Sequence, residues 1–153
     1  MSTSMALGLG AISGLRSMSG PAFVSRAASR GDLDGTPLAF LGSPLLSKAL
    51  TMMQLGEIVV DKLPIAPSRT SLPPLLGRAA FGGLAGAAAF ASQDRRIATG
   101  AVLGSSAAIA ASFAGEGFRA LAAQKAGLPD PVVALAEDAV VLLVGSRLSR
   151  DAR

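Results

Sequence analysis

Residues 79–91, "AAFGGLAGAAAFA", and residues 98–115, "ATGAVLGSSAAIAASFAG", carry no charged side chain on any face. A helix on the surface of a soluble bundle needs a polar stripe at helical spacing, and neither run has one. A helix that is apolar all round is at home in lipid. There every backbone N–H and C=O must be bonded within the segment, and a crossing of about 30 Å takes roughly 17–25 residues. Five stretches meet that requirement: residues 4–29, 43–62, 73–92, 94–125 and 130–148. The expected fold is therefore all-α. It is a single polytopic membrane domain of 153 residues with about five Gly/Ala-rich transmembrane helices. A soluble Ala-rich bundle is the alternative, and the missing polar stripes count against it.

Punctuation supports these boundaries. Ser43 and Pro44 read as an N-cap followed by a proline at the first helical position. Lys62 closes the second helix before Pro64, and Pro73-Pro74 open the third. Asp94 reads as the cap of the fourth helix, and Asp130-Pro131 start the fifth.

The residues that are missing exclude several chemistries. There is no Cys, which removes disulfides and thiolate ligands, and no His, the usual zinc ligand and neutral-pH base. No catalytic residue, metal site or cofactor is expected. Charged residues make up only 16% of the chain, against about 25% in soluble proteins. The net charge of +4 is spread over single and paired basic residues without stacking aromatics, so lipid phosphate is the expected partner rather than nucleic acid. The first 31 residues are rich in Ser and Arg and lack acids, as transit peptides are. The glycines of "ALGLGAISGLRS" favour a mature membrane helix instead. With five crossings, the loop charges favour an external N-terminus and an internal C-terminus. The expected location is the bacterial inner membrane.

Small residues recur at four-residue spacing in Gly10/Gly14, Gly82/Gly86 and Gly100/Gly104. In lipid such faces let helices approach closely, within a chain or between protomers. Five thin helices enclose little volume, which favours a homodimer or a place in a larger membrane complex.

Two segments resemble each other. "SGPAFVSRAASR" aligns with "AGEGFRALAAQK", and downstream "GEIVV" echoes "AEDAVV". Copies separated by three helices would lie inverted in the bilayer, a construction common in transporters. Gly20-Pro21 and Gly115 with Gly117 are the expected helix breaks of the two copies.

The charges inside apolar segments need partners, because an ionised group facing acyl chains costs several kcal/mol. Arg16, Glu57, Asp61, Glu116, Glu137 and Asp138 are the candidate ion path. Arg16 is expected to pair with Glu57 or Glu137, and Glu116 with Arg119 at i, i+3. Lys62, Arg69, Thr70 and Ser71, before the third helix, are candidates for holding an anion or lipid headgroup. The bland readings are ion pairs that fix helix register and a proline-stiffened connector with solvated charges.

"GLRSMSGPAFVS", "GTPLAFLGSP", "LGEIVVDKLPIAPSRTS", "LLGR" and "GLPDPVVALAEDAVV" resemble a bacterial membrane-protein family termed domain of unknown function 4126. The likeness covers nearly the whole chain. It implies a small polytopic membrane protein and no named activity. The functional expectation is a transporter or channel for a small ion or solute, not an enzyme. A scaffold or accessory subunit is the alternative, and a carboxylate enzyme acting on lipid phosphate is more remote.

Overall fold

A computed structural model describes residues 2–60, 70–126 and 129–150. The described chain is all-α: α1 (Ser2–Leu15), α2 (Ser19–Ala28), α3 (Pro44–Val60), α4 (Leu72–Ala91), α5 (Ile97–Ala126) and α6 (Asp130–Arg150), with a single 3₁₀ turn at Ala39–Gly42. α4 and α5 are long and apolar enough to cross a membrane.

The centre of the bundle is α1 against α4 and α5, held by glycine. Gly10 packs on Gly104, Gly14 on Ala108 and Ala111, and Gly82 and Gly86 on Gly100 and Gly104. A methyl group on Gly10, Gly86 or Gly104 would overlap a backbone carbonyl of the facing helix. Ser105 Oγ adds a hydrogen bond to the Ala79 carbonyl at 2.9 Å across α4 and α5. All three glycine pairs seen in the sequence thus meet one another inside one chain.

The first apolar segment does not run straight through residues 4–29. It folds back on itself. Pro21 has no N–H to bond the Ser17 carbonyl, and its ring crowds that same carbonyl, so the helix fails one turn upstream of the proline. α1 ends at Leu15 and α2 starts at Ser19, with Ser19 N bonding the Arg16 carbonyl at 3.0 Å and Ala22 N that of Met18 at 3.0 Å. Gly20 and Pro21 therefore occupy the first turn of α2, and the break lies at residues 16–18. α2 then returns beside α1. Gly20 packs on Ser13 and Leu9, and Phe23, Val24 and Ala27 wall a small cavity with Met5 and Leu9. α6 confirms the reversal, since its Gly145 meets Phe23 while its Leu148 meets Gly8.

Helix direction then alternates through all six described helices, with α3 antiparallel to α2, and the start of α1 and the end of α6 lie at one end of the bundle. Six helices thus stand where the sequence reading expected five, the extra one coming from the first segment. The expected break at Gly115 and Gly117 does not occur, because α5 is continuous over 30 residues. Glycine weakens a helix by about 1 kcal/mol but keeps its N–H, and α5 holds its ladder. The paired interruptions expected of an inverted repeat are thus found in one copy only.

Ser43 caps α3 as expected, its Oγ accepting from Leu46 N at 3.3 Å. Asp94 does not cap α5. It closes α4 in the left-handed region at φ 53°, with Arg95 N bonding the Phe90 carbonyl at 2.9 Å and Asp94 N that of Ala91 at 3.1 Å. These bonds form the Schellman closure that normally uses glycine. Asp94→Gly is expected to stabilise the fold by up to about 1 kcal/mol, read as a raised thermal midpoint.

Polarity is distributed inside out. Arg16 is 1% exposed and Asp138 6%, whereas Leu45 is 81% and Leu143 66% exposed.

Candidate functional site: a helical hairpin tip held by charges

Breaking a helix frees carbonyls on one side and amides on the other, with partial negative and positive charge respectively. Both sets find opposite charges here. The Gly14 carbonyl at the end of α1 accepts from Arg78 Nη1 at 2.6 Å and Ser112 Oγ at 3.1 Å, and the Leu15 carbonyl from Arg78 Nη1 at 3.4 Å. Ahead of α2, Glu57 Oε1 accepts from Ser17 N and Ser17 Oγ, each at 2.7 Å, and its Oε2 from Met18 N at 2.9 Å. The hairpin tip is clamped by a cation from α4 and a carboxylate from α3.

Two ion pairs tie α6 to the same region. Arg16 Nε meets Asp138 Oδ1 at 2.7 Å, and Arg119 places Nε at 3.0 Å and Nη2 at 2.7 Å from Glu137 Oε2. The sequence reading named neither of these pairs: it joined Arg16 to Glu57 or Glu137 and Arg119 to Glu116. Successive residues on a helix point about 100° apart, so Glu137 faces α5 while Asp138 faces α1. Glu57 is taken by the freed amides. Glu116 is half-buried on α5, one turn before Arg119.

Away from the tip, α2 is bonded to α3. Gln54 Nε2 donates to Ser19 Oγ at 3.1 Å, while Arg26 Nη2 donates to Gln54 Oε1 at 3.1 Å and Thr51 Oγ1 at 3.3 Å. Ser25 Oγ donates to the Leu41 carbonyl.

The structure therefore gathers Arg16, Glu57 and Asp138 at the tip, with Glu137 on the α5 side. Asp61, Lys62 and Arg69 lie outside the described residues. Thr70 and Ser71 are half-buried just before α4. Among the described residues no group of acidic side chains has the arrangement of a metal site. Sequence reasoning missed Arg78, Ser112 and Gln54. Arg78 was legible in principle, because a guanidinium amid "LLGRAAFGG" must meet acceptors, and a broken helix supplies carbonyls.

The fold and site define a class: a small all-α bundle with an apolar outside, a charged interior and a first helix doubled back into a hairpin. Residues 3–147 match the family described as Domain of unknown function (DUF4126), and the chain belongs to that family. No curated protein and no solved structure matches it.

Proposed function

We propose that this chain is a multi-pass membrane protein that moves a small solute or ion across the bilayer, and that the α1–α2 hairpin is its working part. One observation carries the reading: a hairpin tip, buried at Arg16 and half-buried at Ser17 and Met18, whose freed backbone groups and arginine are held by charged side chains from three other helices. α2 has ten residues, roughly 15 Å or half a bilayer, and nine of them are buried. Backbone outside a helix is tolerated at membrane depth only when enclosed by protein or lining a polar cavity, and re-entrant hairpins of this kind build transport sites.

The inside-out polarity supports a lipid surround. Leu45, Met52, Val102, Phe113 and Leu143 face outward while the charges face inward. The end where α1 starts and α6 finishes also carries Arg30, Lys48, Arg95, Arg96 and Arg147, whereas among the described residues the other end exposes Lys125 and draws Arg78 and Arg119 into interior contacts. The positive-inside bias then puts both termini in the cytoplasm of a bacterial inner membrane. The alternation of six helices sets α2 and α5 in opposite directions, as an inverted repeat requires.

A second reading, a non-catalytic scaffold or accessory subunit, draws on a different fact. Glu57, Glu137 and Asp138 each already have an internal partner, as register pins would. Flux through liposomes separates the two. Wild-type protein is expected to pass protons, a small ion or a small neutral solute, and Glu57→Gln to lose most of that flux while eluting as wild type does. No flux across the panel, with both proteins folded, supports the scaffold.

A further inference from the structure

α3 stands apart from the rest of the bundle. Among the described residues it packs closely only on α2 and the short 3₁₀ turn. Its outer face is apolar, with Leu45, Met52, Met53, Leu55 and Val59 all exposed. Its inner face is mixed, with Leu46 and Leu50 turned inward beside a run of polar groups. Thr51, Gln54 and Glu57 recur every third residue and form one polar stripe on a mainly apolar helix. That stripe meets a matching set on α2 and the tip: Arg26, Ser19 and Ser17. These polar groups run the length of the seam, interleaved on α3 with buried Leu50 and half-buried Leu46.

α1 behaves differently. Its Gly14 carbonyl accepts from Arg78 of α4 and Ser112 of α5, in the glycine-packed centre. Small residues there leave no room to separate without losing close backbone contact. Parting α3 from α2 exchanges hydrogen bonds for water, and Thr51, Gln54, Glu57, Ser19 and Arg26 are all able to make that exchange.

We propose that the α2–α3 seam is the route the solute takes, and that α3 is the gate that opens it. This rests on the transport reading and adds to it a path and a class of solute. The seam has one cation, Arg26, at one end and one carboxylate, Glu57, at the other, with hydroxyls and an amide between. Pores for bare ions carry rings of carbonyls or of like charge, which this stripe lacks. It suits a small hydrogen-bonding solute of no net charge, and urea and glycerol are the probes of choice.

The chain has no cysteine, so single cysteines report without background. Thr51→Cys and Gln54→Cys would be reconstituted and exposed to a membrane-impermeant methanethiosulfonate, with Ala85→Cys in the closely packed centre as the reference. The expected result is modification of both seam cysteines at least tenfold faster than Ala85→Cys. Loss of urea or glycerol flux in Gln54→Leu is expected to accompany it. Seam cysteines as inert as the reference would overturn the proposal, and so would equal reactivity at all three sites, which marks general loosening. Because reactivity is read without flux, the two readings fail separately. A reactive seam in a protein that passes nothing sinks transport and keeps the opening. Flux past an inert seam keeps transport and sinks the route.

Discussion

Arg16→Ala is expected to destabilise the fold by about 3–5 kcal/mol, the largest loss from any single substitution considered. The side chain is 1% exposed, and its Nε lies 2.7 Å from Asp138 Oδ1. Truncation strips the guanidinium from a carboxylate that is itself 6% exposed, where water cannot replace it. The cost comes from taking a partner away from a buried charge and exceeds the net worth of the pair. The double variant Arg16→Leu/Asp138→Leu is therefore expected to recover most of the loss, because two apolar groups in contact need no solvation. Thermal unfolding in detergent, followed by size-exclusion chromatography, reads both. A double variant as unstable as Arg16→Ala would mean that the site needs the charges themselves.

Gly104→Val is expected to cost about 3 kcal/mol by overpacking. A Cβ at Gly104 would overlap the Gly82 carbonyl and crowd Gly86, and the same residue faces Gly10 of α1. Three helices meet at this one position, so none can move aside without separating from another. Gly56 and Gly77 give the contrast, since a methyl on either meets nothing within 4 Å. Gly56→Ala and Gly77→Ala are expected to be neutral or stabilising by about 0.5–1 kcal/mol, because alanine favours the helix. Equal losses at Gly104 and Gly77 would remove the packing explanation.

The apolar segments were legible because their periodicity is a local property. Four of the five correspond to α3, α4, α5 and α6 within a few residues. The first became two helices because a proline acts on the carbonyl four residues before it, so "SGPAF" marks a break at residues 16–18 rather than at Pro21. Whether the chain then continues or reverses is a tertiary matter. It depends on Gly20 accepting Ser13 and Leu9 as neighbours, and nothing near residue 20 in the sequence states that. Gly115 and Gly117 misled in the opposite sense, since glycine permits a break without imposing one.

For the site, Arg16, Glu57, Glu137 and Asp138 were identifiable as charges needing burial. Their partners were not, because adjacent acids on α6 differ in facing by about 100° and only the packing of α1 and α5 decides which takes which arginine. The polar stripe of α3 was present all along in Thr51, Gln54 and Glu57. Without the break in the first helix there was no reason to look for donors opposite it.

The doubling back of the first segment is the claim from which the rest follows, and sidedness tests it most directly. Single cysteines in place of Thr3, Asp34 and Gln93 would be labelled with an impermeant maleimide in right-side-out and inside-out vesicles; all three native positions are exposed. A hairpin predicts that all three label from one and the same side. A first segment that crosses the bilayer puts position 3 on the side opposite position 34, and that result would contradict the account.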